Sequence, residues 1–375
     1  MTSAPKPAPR PTPKPAIAEP GLWRPDAAAG DWRDGDRLWL DKNENADPEL
    51  AAVVAEVLRN IRPEALYSYP ETGPLYRKLA DWLGVSAQSV TVAAGSDGVI
   101  RATFEAFVSP GDTVIHTAPT FAMYPVYSRM FGARAVAVEY APSNAGPVLE
   151  VDRLIDTIRA ENPRLVCLPN PDSPTGTTFD PAALRAIVEA AGAAGAVMLV
   201  DEAYFPFHRD TCLPWIGDYG HLVVSRSTGK AWGLAGFRIG YGAAAPDLAA
   251  ALQKTRGMYE TSTVAAQVFL GMLDRVDAME VSVARLEAGK ALFLDAMEGL
   301  GFRVLRGAGN FAHVAFGAQA PAVHAALEGH VYYRADFKEP CLAGFSRFSM
   351  TTPDRFRPLI QRIRDAVTKG DQSGD

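Results

Sequence analysis

The stretch VTVAAGSDGVIRATFEAFVSPGDTVIHTA, residues 90–118, decides the fold class. Two short runs rich in β-branched residues, VTVAA (90–94) and TVIHTA (113–118), enclose a segment where Val99, Ile100, Phe104 and Phe107 recur at helical spacing. Strands that are apolar throughout and alternate with helices indicate a mainly parallel sheet covered on both faces. The rhythm continues through RAVAVEY (134–140), RLVCLP (164–169), AVMLVDE (196–202), HLVVSRS (221–227) and RIGYGA (238–243). After about residue 247 it gives way to long helices, among them EVSVARLEAGKALFLDAMEGL (280–300), and then to the strand-like FRVL, NFAHVAF and RFSM. The expected architecture is α/β, a large domain with a mainly parallel central sheet and a smaller α+β C-terminal domain. The expected limits are a Pro-rich tail and N-terminal arm over 1–37, the large domain over 38–265 and the small one over 266–375. No internal repeat is visible.

A chain of 375 residues suits one large domain plus a smaller one. Its 48% hydrophobic content excludes wholesale disorder. With 37 basic against 43 acidic residues the net charge is −6, which points away from nucleic acid and from anionic membranes. No apolar run reaches the roughly 18 residues a spanning helix needs, so a soluble protein is expected. Cys167, Cys212 and Cys341 stand alone, as in a reducing, cytoplasmic compartment. The six histidines form no metal-binding pair, and no metal is expected. Seven of the 29 prolines fall in the first twenty residues, with three basic residues and no apolar core, which predicts a polyproline-like or disordered leader.

In such sheets ligands bind beyond the carboxyl ends of the strands, and four ends carry polar residues. In AAGSDGVI (93–100), Gly95 permits a tight turn, and Ser96 or Asp97 suits the helix cap beside an anion site. In NPDSPTGT (170–177), two prolines and a glycine, with Pro169 just before them, stiffen the turn after a strand. In VDEAY (200–204), Asp201 ends a buried strand and needs a partner, an arginine or a protonated ring nitrogen, with Tyr204 as a nearby donor. In SRSTGKAWGLAGFRIGYG (225–242), Lys230 follows a strand and Arg238 comes eight residues later. Desolvation and a nearby arginine would lower the lysine pKa and make it nucleophilic.

Together these segments resemble the fold type I pyridoxal-phosphate aminotransferases of class I/II, and most closely their histidinol-phosphate aminotransferase branch. LDKNENA (40–46), YSYPETGPLYRKLADWLGV, AAGSDGVI, PTFAMY, NPDSPTG, VDEAY, KAWGLAGFRIGY and FSRFSMTTP (345–353) match in order, across nearly the whole chain beyond the tail. The resemblance implies that Lys230 holds pyridoxal 5'-phosphate and moves the proton at the substrate Cα. Asp201 would pair with the pyridinium nitrogen and Tyr204 with the ring hydroxyl oxygen. Arg238, Ser227, Gly95, Ser96 and Asp97 would cradle the phosphate, and Phe121 would stack on the ring. Asn170 and Ser173 belong to the cofactor-binding turn. Arg347 would grip the substrate α-carboxylate, a bidentate task, with Arg334 and Asn45 also on the substrate. Tyr69 would reach the phosphate of a neighbouring subunit, which implies a homodimer with shared sites.

The chain departs from the family pattern at Ser173, where asparagine is usual, at Gly229, where serine is common, and at Ser68, where arginine often stands. The implied reaction is a ping-pong transfer of an amino group from a small amino donor, an amino acid or amino-phosphate compound, to a 2-oxo acid acceptor. The same scaffold serves decarboxylation of a phosphorylated amino acid, as in the threonine-phosphate decarboxylase-like branch. A cofactor-sensing transcription factor would need a DNA-binding domain, for which about twenty proline-rich residues are too few.

Overall fold

The computed structural model describes residues 11–22, 28 and 30–372. Among these residues, β1 (Leu38–Trp39) stands apart from a seven-stranded sheet. That sheet holds β2 (Val90–Ala93), β3 (Thr113–Ala118), β4 (Arg134–Glu139), β5 (Leu165–Pro169), β6 (Val197–Asp201), β7 (Leu222–Ser227) and β8 (Gly240–Ala244). Their order is β2-β8-β7-β6-β5-β3-β4, and β8 alone runs antiparallel to both of its neighbours. Side chains alternate between two cores: Val166, Met198, Val200 and Val224 face one layer, and Leu165, Cys167, Leu199 and Val223 the other. Burial on both faces explains why these strands read as continuous apolar runs.

The C-terminal body has a three-stranded antiparallel sheet, β12-β10-β9, made of β9 (Arg303–Leu305), β10 (Phe311–Ala315) and β12 (Phe345–Ser349). The remaining strand, β11 (Val331–Tyr332), pairs in parallel with β1. Here the chain departs from the expected domain limits. Leu40 is fully buried in the C-terminal core, and Ser349 donates its backbone N–H to the Leu40 carbonyl at 2.8 Å. Residues 38–40 therefore belong with the smaller body. The limit at 265 moves as well, because Thr263–Met272 packs in the larger body's core. The helix Val276–Gly299, roughly 36 Å long, spans both: Met279 and Val283 sit in one core, Leu286, Phe293 and Met297 in the other. Continuous helical periodicity hides such a boundary, since the apolar stripe does not break where its partner changes.

Within the tail, Pro15–Ala18 forms one helical turn, and the Gly21 carbonyl accepts from Arg129 at 2.8 Å. The expected leader is thus partly helical over its described portion, while residues 1–10 lie outside the described residues. Among the described residues, no helix is long and apolar enough to cross a membrane.

One charged pair is sealed inside the larger body. Arg226 on β7 donates to Glu202 through Nε at 3.0 Å and Nη2 at 2.8 Å, with side chains 4% and 2% exposed. Thr211 Oγ1 and the Cys212 N–H also donate to Glu202. Removing one member strands the other charge in low dielectric. Arg226→Met is expected to lower the unfolding free energy in urea by about 3–5 kcal/mol, and adding Glu202→Met should recover part of that loss.

Candidate active site

The carboxyl ends of β2, β3, β5, β6 and β7 meet on one edge, because their register aligns Pro169 with Asp201, Asp201 with Ser225, and both Ser227 and Ala93 with Gly240. A cavity of about 420 Å³ opens there, lined on one side by Ser96, Phe121, Asp201, Tyr204, Ser227 and Lys230 and on the other by Arg334, Phe337 and Arg347.

The phosphate-side end is built by close backbone approach. Gly95, at φ 83°, ends the turn after β2 and caps the helix Ser96–Phe107. The cap is therefore neither Ser96 nor Asp97: no side chain caps this helix, and Asp97 Oδ1 instead accepts from Tyr127 at 3.0 Å. A Cβ on Gly240 would lie 2.4 Å from both the carbonyl carbon of Gly95 and the N of Ser96. This contact leaves no room for a side chain and holds the helix end against β8. A Cβ on Gly95 would come within 3.2 Å of Arg238 Nη2, so the guanidinium lies directly over the turn. Arg238 reaches it from a left-handed conformation, φ 52°. A helix N-terminus beside a guanidinium is an anion site by charge and by free N–H groups.

Lys230 Nζ donates to the backbone carbonyl of Lys42 at 2.8 Å and lies 5.8 Å from the centre of the Tyr204 ring. Burial, and then the positive charge of Arg347, lower its pKa to about 8. Asp201 is buried and accepts from Ser225 Oγ at 2.9 Å and Tyr124 OH at 3.0 Å. Both are neutral donors, and burial pushes this carboxyl up to about 6 despite them. A buried carboxylate held by hydroxyls in a cavity wall suits a cationic ligand nitrogen, and the anion cradle sits at the same cavity. The residues present therefore fit pyridoxal phosphate.

Tyr204 OH accepts from Asn43 Nδ2 at 2.8 Å, and burial raises its pKa. Arg347 is 6% exposed, and donates through Nη1 to Ser173 Oγ at 3.3 Å and through Nη2 to the Asp41 carbonyl at 3.1 Å. Arg334 pairs with it across an isolated bridge, both backbone bonds formed, and lines the same cavity. Phe121 lines the cavity with its ring against the edge of Tyr124, centroids 5.6 Å apart. Gly229 has a steric reason: a Cβ there would meet the Ala235 Cα at 3.1 Å, while the Ser227 hydroxyl already accepts the Gly229 N–H.

Two expected contacts fall elsewhere, and a third residue, Tyr69, lies away from this cavity. Asn45 stands outside the cavity lining, its amide donating to the Ala231 carbonyl and Ser282 Oγ while its oxygen accepts from the Asp47 N–H. Asn170 is buried behind the turn, where its Oδ1 accepts from the Phe179 N–H at 3.0 Å. Tyr69 lies on the surface, 72% exposed and stacked on Tyr259 at 4.1 Å. Conversely, Asn43, Tyr124 and Ser225 contact site side chains that the sequence did not connect to them. Asn43 sits two residues before Asn45 in a left-handed conformation, φ 56°, which asparagine tolerates. That signal is present in LDKNENA but does not say which polar side chain turns inward. Tyr124 reads as core, and only the contact with Asp201 gives its hydroxyl a task.

The family model for aminotransferase class I and II matches residues 36–363. The chain is similar to a histidinol-phosphate aminotransferase of Thermobifida fusca, 34% identical over 281 residues, covering 72% of this chain and 75% of that one. It is also similar to histidinol-phosphate aminotransferase 2 of Bordetella parapertussis, 32% identical over 329 residues, covering 85% and 88%. Among solved structures, the fold matches a histidinol-phosphate aminotransferase from Sinorhizobium meliloti in complex with pyridoxal-5'-phosphate, at TM-score 0.76 and 22% identity, covering 88% and 91%. With a parallel-sheet edge, an anion cradle and a perturbed lysine in one cavity, this chain belongs to the class I and II aminotransferases, enzymes that work with pyridoxal phosphate.

Proposed function

We propose that the amino donor is a phosphorylated amine of the kind named for the relatives, histidinol phosphate, and that the acceptor is a 2-oxo acid. The pairing of Arg334 with Arg347 carries this reading, since two arginines held side by side by a backbone bridge line the same cavity as Lys230. Two guanidinium forks, Arg347 held by Ser173 and the Asp41 carbonyl, suit a substrate with a phosphate, and a 2-oxo acid in the alternate half-reaction.

When bound, pyridoxal phosphate supplies an electron sink for the electron pair left at the substrate Cα. Lys230 would hold it through the ε-amine, Asp201 would face its ring nitrogen, Tyr204 and Ser173 its hydroxyl side, and Phe121 its face. Ser96, Ser227, Arg238 and the amides after Gly95 would hold its phosphate, with Asp97 and Asn170 steadying the turns behind. Lys230 Nζ, largely neutral above about pH 8, takes the Cα proton and returns it. Arg347 orients the substrate and, as a nearby cation, keeps that amine available as a base.

Leu66, Tyr67, Tyr69, Met258 and Tyr259 are exposed large hydrophobics, 50% or more accessible. We assign this surface to a second copy of the chain, with Tyr69 reaching the partner's phosphate site. The free, buried cysteines 167, 212 and 341 support a reducing cytoplasmic setting.

Purified protein mixed with histidinol phosphate and 2-oxoglutarate should form glutamate; carbon dioxide release without consumption of the oxo acid would overturn the transamination. Lys230→Ala should remove both turnover and the protein-bound absorbance of the cofactor. Arg334→Ala should raise KM for the phosphorylated amine about tenfold or more while kcat changes little, as expected for loss of a charge-assisted contact made equally in ground and transition states. The rate of cofactor capture by the apo-protein should rise with pH around 8, and Arg347→Gln should move that midpoint upward, because removing a cation makes the ammonium form easier to keep. Mixing Lys230→Ala with Tyr69→Ala protein, each impaired alone, should restore activity if the sites are shared between copies.

A further inference from the structure

We propose that Asp172, behind the cavity, is a positioning residue whose carboxylate sets the Phe121 wall and the Ser173 wall in their spacing, an inference that rests on the cofactor reading above. The carboxylate is fully buried and gathers three hydroxyls. Its Oδ2 accepts from Thr117 Oγ1 at 2.6 Å and Tyr140 OH at 2.9 Å, and its Oδ1 accepts from Thr120 Oγ1 at 2.9 Å. These donors come from the end of β3, the turn just beyond it, and the residue after β4. One side chain on the turn after β5 thus ties three neighbouring strand ends together.

Both walls lie one residue away from this knot. Thr120 precedes Phe121, and both line the cavity. Asp172 precedes Ser173, whose hydroxyl accepts from Arg347. The turn cannot absorb a shift by itself, since the Asp172 N–H donates to the Thr177 carbonyl at 2.9 Å and the Gly176 N–H to the Asp172 carbonyl at 2.8 Å. Any movement of the carboxylate is therefore passed to Ser173 on one side and to Phe121 on the other.

The choice of residue fits this task better than it fits stability. No cation pairs with Asp172 among the described ion pairs, and burial pushes its carboxyl up to about 7. With the folded pKa at about 7 against the ordinary 3.8, the native state binds the extra proton, so stability is lost as pH rises from about 4 to about 7 and the loss is complete above that. A neutral side chain would fill the space at lower cost. What an ionised carboxylate adds is acceptor-only oxygens that satisfy three donors in fixed directions, whereas an amide turns an N–H₂ towards hydroxyl groups.

The test compares full-length wild type, Asp172→Asn, Thr120→Val and the double variant, each stripped of cofactor and titrated with pyridoxal phosphate. Each single change should raise the Kd about tenfold, and the double should do little more than either alone, because both remove one shared interaction. At pH 8 the apo Asp172→Asn protein should melt at or above the wild-type temperature, a result that a purely structural pin would not give. Thr120→Val keeps the carboxylate, so it probes the link even where Asp172→Asn folds poorly. The proposal falls if both single variants bind pyridoxal phosphate as tightly as wild type, or if affinity falls only in step with apo melting temperature. Wild type that takes up no pyridoxal phosphate would overturn the cofactor reading, and this inference with it.

Discussion

Register in the parallel sheet is the constraint on which this site depends. Asp201 ends β6 opposite Ser225 of β7, while the next residues, Glu202 and Arg226, lie on the other face. A slip of one residue would turn every side chain over, bringing Glu202 into the cavity and burying Asp201 where Arg226 now waits. The Glu202–Arg226 pair is satisfied in one register only, with Thr211 and Cys212 completing its bonds. A buried ion pair is weak evidence for stability but a good device for choosing between alternative registers. In this protein the charged pair on the hidden face secures the acid on the functional face.

Around that acid, charge and burial work in opposite directions on neighbouring groups. Lys230 loses part of its hold on a proton because it is desolvated near Arg347 and Arg238, while Asp201 gains one because burial outweighs the hydroxyls that donate to it. The two shifts bring an amine and a carboxyl towards neutrality from opposite sides. A ligand with a cationic nitrogen and an anionic tail answers both the acid and the cradle at Gly95 and Arg238. The smaller body closes the cavity from the other side, and the segment after Leu38 joins it through β1 and Leu40. Arg347, Asp41 and Ser173 thus connect the two bodies at the cavity itself.

Much of this was legible in the amino-acid order. Strand runs such as TVIHTA and RLVCLP stand where the sheet has them, because burial on both faces demands unbroken apolar residues. The four polar strand ends were visible for the converse reason: carboxylates, lysine and proline-rich turns have no business in a buried strand unless the strand has ended. The cap at Gly95 was misread, because Ser96 and Asp97 have the chemistry of caps and only the approach of Gly240 shows that the chain had already turned.

Asn45 and Asn43 mark the limit most clearly, being equivalent as residue types and two positions apart. The choice between them is made by contacts with Ser282 and Tyr204, more than 150 residues away in the chain. By itself the sequence determined the alternation of elements, the order of motifs and the chemistry available at each strand end, since these follow from local burial patterns and side-chain identity. Which polar groups share one cavity, how the long helix divides between two cores and how far each pKa moves were decided only by tertiary structure. Those properties depend on distances between residues remote in the chain, and local patterns carry no information about such distances.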